Sequence, residues 1–154
     1  MKAVIAITAA GLMSFGIVAA TPAAAYHLIP ESTSFTGTGN TSATKNGITL
    51  ACKAKFNGAI DANGVGSVTS GSFTGDLGCT SVGLSGLPWK ATAKGAAKGT
   101  IFGVTFTSPI GNCGPSNLPV KLKNGVISFT NAAVAGGCTI SGKIKTNPTV
   151  SIVP

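Results

Sequence analysis

Few side chains in this sequence of 154 residues are suited to acid–base chemistry. Three are acidic (Glu31, Asp61 and Asp76), one is a histidine (His27), and lysine supplies all 11 basic groups. Charged residues make up 9% of the chain, whereas about a quarter is usual for a soluble domain. Acid–base catalysis needs titratable groups held together at one site. Because these groups are few and scattered, we expect no catalytic residue and no enzyme activity.

An enzyme remains the weakest of three alternatives, as a hydrolase of lipid or glycan. A glycosidase needs two carboxylates at a defined separation, and only Asp61 and Asp76 could supply them. Asp61 begins an Asp-Ala-Asn-Gly sequence, and its role in that turn accounts for it without catalysis. His27 has no evident partner. No phosphate-binding or dinucleotide-binding glycine motif occurs, so we expect no cofactor.

The lysines are more informative. Six of them form three pairs with i, i+2 spacing: Lys53 and Lys55, Lys121 and Lys123, and Lys143 and Lys145. Residues two apart in a strand point to the same side, so each pair faces outward from a strand whose other side is apolar. If the three strands are neighbours, one sheet face carries six ammonium groups. That surface would attract anionic lipid, surfactant or polysaccharide.

Two considerations limit this interpretation of the lysines. Exposed lysines also keep a sheet soluble and block pairing at its edges, which needs no ligand. Arginine is absent, so the bidentate contacts that distinguish bases are not available, and we expect no specific recognition of nucleic acid.

Four cysteines occur, at positions 52, 79, 113 and 138. A weak internal duplication relates Val65-Gly-Ser-Val-Thr to Val126-Ile-Ser-Phe-Thr, and each copy leads to a Gly-Cys-Thr. The two cysteines of each half lie 27 and 25 residues apart, which favours the pairs Cys52–Cys79 and Cys113–Cys138 over bridges between the halves. No pair has metal-binding C-x-x-C spacing and no histidine is near, so we expect disulfides and no metal.

The chain predicts strands and turns rather than helices. Residues 47–57 alternate apolar and polar side chains with a period of two, and Asn-Gly turns follow at 63–64 and 124–125. Similar strand signals occur at 65–75, 79–84, 98–107, 118–123, 126–130, 140–145 and 150–152. A single helical turn within 90–98 is the alternative there. We predict an all-β fold, an antiparallel β-sandwich or flattened barrel with two disulfides.

The first 25 residues have the pattern of a secretory signal. Lys2 precedes an apolar run from Ala3 to about Ala20, and small residues follow up to Ala25. We expect cleavage near Ala25, export to the periplasm, the outer surface or the medium, and no transmembrane segment in the mature chain. Residues 26–46 are then a mobile segment with one short strand near Phe35, and residues 47–154 form the β-sandwich domain.

The sequence Gly86-Leu-Pro-Trp-Lys90 contains the only tryptophan. Proline makes the residue before it extended, so Leu87 and Trp89 flank an extended turn. The favoured interpretation is a hydrophobic plug over one end of the sandwich. The alternative is that Leu87 and Trp89 form an exposed apolar contact for a lipid or a partner.

Several short motifs, taken in order, resemble the secreted bacterial activators of alkane oxidation of the PraB type. They are Phe35-Thr-Gly-Thr-Gly-Asn, Gly47-Ile-Thr-Leu-Ala-Cys52, Gly86-Leu-Pro-Trp89, Cys113-Gly-Pro115 and Gly136-Gly-Cys-Thr-Ile-Ser-Gly142. The resemblance implies an extracellular, non-enzymatic protein connected with growth on hydrocarbon, through emulsification or surface contact. It implies no catalytic residues.

Two non-enzymatic hypotheses follow. The first is a secreted accessory protein acting at a cell, surfactant or hydrocarbon interface. The second is a structural subunit of an extracellular fibre or biofilm matrix. Its basis is the weakly charged, strand-like ends 33–38 and 149–153, which could self-associate by adding to a neighbour's sheet edge.

Overall fold

The computed structural model describes residues 25–154. The predicted signal peptide lies outside these residues, apart from Ala25 at its end. None of the helical structure in the described part of the chain could cross a membrane, given its length and composition.

Residues 25–154 contain eleven strands and one short 3-10 helix, Cys79–Ser81. The strands are β1 (His27–Ile29), β2 (Thr33–Lys45), β3 (Ile48–Ile60), β4 (Gly66–Gly75), β5 (Gly83–Leu84), β6 (Trp89–Gly95), β7 (Lys98–Thr107), β8 (Cys113–Lys123), β9 (Val126–Val134), β10 (Cys138–Asn147) and β11 (Ser151–Val153). The predicted all-β class is confirmed, and the helical turn considered for 90–98 is wrong because that stretch contains β6.

Eight of the strands form a closed antiparallel barrel. Going round the ring, β2 is followed by β3, β4, β6, β7, β8, β9 and β10, and β10 pairs with β2 to close it. Each barrel strand therefore lies beside the next one along the chain, as in an up-and-down barrel. Of the two predicted architectures, the barrel is the one observed. Strand β5 lies outside the ring and pairs with β7.

The two ends of the barrel are built differently. At one end β1 and β11 pair as a separate two-stranded sheet, and Leu28, Ile60, Leu122 and Val150 form a buried cluster beneath it. Within residues 25–154, no comparable sheet covers the opposite end. Both disulfides are near that end, because Cys52 and Cys138 pair in register with Thr41 and Lys45 in the second half of β2.

Both predicted disulfides are confirmed. Cys52 is bonded to Cys79, which fastens β3 to the short helix after β4, and Cys113 is bonded to Cys138, which joins the first residues of β8 and β10. No free cysteine is present in residues 25–154.

The prediction that residues 26–46 contain only one short strand near Phe35 is wrong. Residues Thr33–Lys45 form a 13-residue strand, β2, with β3 on one side and β10 on the other. The strand signal is weak because glycine occupies inward positions where large neighbours leave no room. A β-carbon at Gly37 would lie 2.7 Å from Ile144 Cγ2. One at Gly39 would overlap the carbonyl oxygen of Lys143.

Removing one disulfide should destabilise the barrel substantially. The double variant Cys113→Ala/Cys138→Ala frees a loop of 25 residues, and a cross-link of that size contributes about 3–4 kcal/mol by restricting the unfolded chain. Urea unfolding followed by circular dichroism would measure the loss. A loss below about 1 kcal/mol would show that this cross-link is dispensable.

Because the barrel closes through β2, alanine substitutions at two glycines should affect the stability of the fold differently. Gly39→Ala should lower the free energy of unfolding by about 1–3 kcal/mol, because the new methyl group overlaps the backbone of β10. Gly95→Ala is the matched control, since the nearest atom to its added methyl is 3.9 Å away. It should leave stability unchanged or slightly raised. Equal effects in the two variants, measured by thermal unfolding, would contradict the pairing of β2 with β10.

Candidate functional site

The six paired lysines align in two rows on the outer wall of the barrel. We call them the lysine collar. The first row follows the register Lys53, Asn40, Lys143, Ser128, Lys121, and the second follows Lys55, Thr38, Lys145, Val126, Lys123. All six lysines are exposed. The sequence predicted that each pair faces outward, and the structure places the three pairs at the same two levels.

The sequence analysis placed the six lysines on one sheet face on the condition that their three strands are neighbours, and that condition is not met. The strands that carry them, β3, β10 and β8, are not neighbours, because β2 and β9 lie between them. They are the first, third and fifth of five consecutive strands in a ring of eight, so the collar extends round about half of the barrel. Alternate strands lie about 10 Å apart, and the two rows are about 7 Å apart.

Carboxylates do not neutralise the collar. Among residues 25–154 the only ion pair joins His27 Nε2 to Glu31 Oε1, at 3.3 Å, and it lies at the end covered by β1 and β11. The residues between the lysines on β2 and β9 are uncharged. The collar therefore presents concentrated positive charge on a wall that has no negative charge within it.

A shallow groove in the outer wall adds polar groups to part of the collar. Lys53 and Lys55 lie on β3 in the middle of it, between hydroxyl and amide side chains of β2 and β4: Thr38, Asn40, Ser72 and Thr74. Ammonium and hydroxyl groups donate hydrogen bonds. The groove can therefore accept an anionic headgroup with several oxygen atoms.

The structure does not bring the acidic residues together. Asp61 precedes β4 and Asp76 follows it, so a strand of ten residues, about 33 Å long, separates them. Asp61 Oδ1 accepts hydrogen bonds from the backbone N–H groups of Asn63 and Val65, at 2.8 and 2.9 Å. This is the turn role expected from the sequence. In the described part of the chain, no three His, Cys, Asp or Glu side chains are placed to hold a metal ion.

His27 does have a partner, which the sequence analysis did not find. Glu31 lies four residues away, and the turn between β1 and β2 brings its carboxylate to the imidazole. Both side chains are partly exposed, at 30% and 45%. Outside a helix, residues four apart are not expected to be in contact. The sequence spacing therefore did not predict this ion pair, which depends on the turn.

Trp89 is not an exposed contact. It is 6% exposed, it belongs to the buried core, and its indole Nε1 donates a hydrogen bond to the carbonyl oxygen of Ser85 at 2.8 Å. Leu87 is partly buried and packs against the same core. The two residues therefore belong to the interior side of the barrel, closer to the favoured interpretation as a plug than to the alternative.

The barrel also contains an apolar cavity that the sequence analysis did not predict. Its volume is about 150 Å³, and carbon forms nearly all of its lining. It extends from Leu28 and Ile152 at the covered end to Leu50 and Leu84 at the other. No sequence pattern reveals such a space, because it depends on which side chains meet across strands.

Comparison with known proteins identifies the family of this chain. The family model described as alkane oxidation protein activator PraA/PraB-like matches residues 1–154, the whole sequence. The chain belongs to this family. The match confirms the resemblance carried by the motifs from Phe35 to Gly142. Searches of curated proteins and of solved structures gave no match.

Proposed function

We propose that this alkane oxidation activator-like protein is an exported, non-enzymatic accessory protein. It attaches through the lysine collar to anionic amphiphiles at the surface of hydrocarbon droplets or of cells. The observation that carries the proposal is the register that aligns all six lysines in two rows whose intervening residues are uncharged.

The curvature of the collar bears on the kind of partner. Since the collar extends round half of the barrel, a rigid plane would contact only part of it. Small anionic amphiphiles in a fluid layer can rearrange round the wall, and a flexible acidic polysaccharide could wrap round it. Membership of a family named for alkane oxidation favours the amphiphile layer that separates hydrocarbon from water.

Two further observations support export. Disulfides persist in oxidising compartments outside the cytoplasm, and both cysteine pairs are bonded. The basic n-region, apolar run and small residues before Tyr26 complete a secretory signal.

A fibre subunit is less well supported. The hypothesis relied on free strand-like ends at 33–38 and 149–153. Residues 36–38 are paired on both sides within the barrel, and Ser151–Val153 pairs with β1. Residues 33–35 and 151–153 are each paired on one side only, so the unpaired edges are three residues long, which is short for pairing with a neighbouring molecule.

Export can be tested directly. The protein recovered from the periplasm or medium of an expressing bacterium should begin at Tyr26, because the signal peptidase would cut after Ala25. Intact-mass spectrometry checks this. Recovery of the full chain, beginning at Met1, in the cytoplasm would contradict the proposal.

The collar can be tested with two variants of equal charge. The row variant changes Lys53, Lys121 and Lys143 to Gln, and the scattered variant changes Lys45, Lys90 and Lys94 to Gln. Binding to hexadecane droplets coated with phosphatidylglycerol is measured by flotation at low salt. Each lysine near an anionic surface contributes about 1 kcal/mol. The row variant should therefore bind at least about tenfold more weakly than the native protein, and the scattered variant should bind nearly as well.

Two controls complete this experiment. Droplets coated with phosphatidylcholine should bind little of the native protein, and raising the salt concentration to 1 M should release it from the anionic droplets, since screening shortens the reach of each charge. Equal weakening in the two variants would mean that net charge alone drives binding, and the collar would not be the site.

A further inference from the structure

The interior of the barrel is incompletely filled. The buried side chains form two separate clusters, one around Trp89, Val104 and Leu118 and the other around Leu28 and Ile60. The cavity of about 150 Å³ is lined by members of both. Protein interiors are ordinarily packed as densely as organic crystals, so a continuous core would be expected in a barrel of eight strands.

Several side chains that point into the barrel are only partly buried. Phe56, Ile101, Val120 and Phe129 line the cavity, and each remains partly exposed although it points into a closed barrel. Large apolar side chains therefore bound much of the unfilled space.

Cross-strand pairs of phenylalanine and glycine keep this space open. Phe129 is in register with Gly142, and a β-carbon at Gly142 would lie 2.6 Å from Phe129 Cζ. Phe35 lies over Gly58 in the same way, at 2.5 Å. Each ring therefore lies against the barrel wall where a neighbouring side chain is missing, and it does not extend to the barrel axis.

The third such pair involves Phe56. It is in register with Gly71 across β3 and β4, and a β-carbon at Gly71 would lie 2.8 Å from Phe56 Cδ1. The ring also meets Phe73 edge to face, with centroids 5.7 Å apart. Each of these three phenylalanines therefore lies against a glycine of the neighbouring strand.

The apolar lining of the cavity indicates an apolar ligand. Polar atoms form a negligible part of it, so a water molecule inside would lack the two to four hydrogen-bond partners it needs. In another protein, an engineered cavity of about 150 Å³ lined by Leu, Ile and Phe stays dry and binds benzene. A barrel of eight strands is wide enough to hold one small ligand. The space is elongated along the axis, which suits a linear chain better than a ring.

We propose that the lumen of the barrel binds a linear alkyl chain, with about six carbons inside. The opening lies at the disulfide end, where Leu50, Val82 and Leu84 line the cavity and which the β1–β11 sheet does not cover. Longer alkanes project from that end. The site is separate from the collar, because the lumen faces inward and the lysines face outward.

The fluorescence of Trp89, the only tryptophan, can be used to measure binding in the lumen. Trp89 lines the cavity, so 1-bromohexane, whose bromine quenches indole fluorescence on contact, should quench it saturably. Hexane should compete with the quencher, whereas hexane-1,6-diol should not, because insertion of either end would bury a hydroxyl group without a hydrogen-bond partner in the apolar lumen. Quenching that rises linearly without saturation, or that hexane does not reverse, would overturn the proposal.

Variants that fill the lumen provide the second test. Ala43 and Ala91 both line the cavity, and Ala43→Leu or Ala91→Leu would occupy the volume of several methylenes. Each should weaken the binding of 1-bromohexane about tenfold or more. Ala133→Leu is the matched control, since Ala133 is exposed on the outer wall, and it should bind as the native protein does. Equal binding in all three variants would place the ligand elsewhere.

A measurement on the native protein covers the case in which both lumen variants fail to fold. Saturation with hexane should raise the melting temperature by a few degrees, because a ligand that binds only the folded state stabilises it. No shift would count against the lumen site. The row variant should still show saturable quenching, and Ala43→Leu should still bind to anionic droplets. The lumen proposal and the collar proposal can therefore fail independently.

Discussion

The pairing of β2 with β10 is the constraint on which the rest of the structure depends. Ten residue pairs, from Cys138–Lys45 to Asn147–Thr36, join the first and last strands of the meander. Without them the eight strands would form an open sheet with two long edges exposed to pairing with other chains. Closure gives every barrel strand two neighbours and separates an inner from an outer surface. The lumen and the collar both exist because of that separation.

Closure also explains why the lysines form rows. Each i, i+2 pair fixes two levels on its own strand, but only the register across β2 and β9 decides whether the levels of three strands coincide. In the closed barrel they do. The same curvature turns Lys53 and Lys121 to opposite sides of the barrel. The collar is therefore suited to a partner that follows the curve of the wall.

The local part of this fold could be predicted from the sequence. Alternation in residues 47–57 predicted most of β3, Asn124-Gly125 predicted the hairpin between β8 and β9, and the internal duplication predicted both disulfides. Strand β2 was missed because its inward positions carry Gly37 and Gly39, so it has no hydrophobic period. The strand that decides between a sandwich and a barrel was thus the one that hydrophobic alternation could not identify.

The candidate sites were predictable to different degrees, for the same physical reason. The outward direction of each lysine pair is local, since it follows from a period of two. The alignment of the three pairs depends on register between strands far apart in sequence, as does the meeting of Phe129 with Gly142. No residue type or spacing in the sequence indicates an empty lumen. It follows from phenylalanines and glycines that become neighbours only after the barrel has closed.

The two ends of the barrel are held by different interactions, and this difference suits a lumen that opens at one end. At the covered end, Leu28 and Val150 pack with Ile60 and Leu122 beneath the β1–β11 sheet, so burial of apolar surface holds the strands together. A similar plug at the opposite end would block the opening. There the two disulfides hold the strand ends instead. Covalent cross-links stabilise the fold without occupying the axis, so the barrel keeps its shape while an alkyl chain enters.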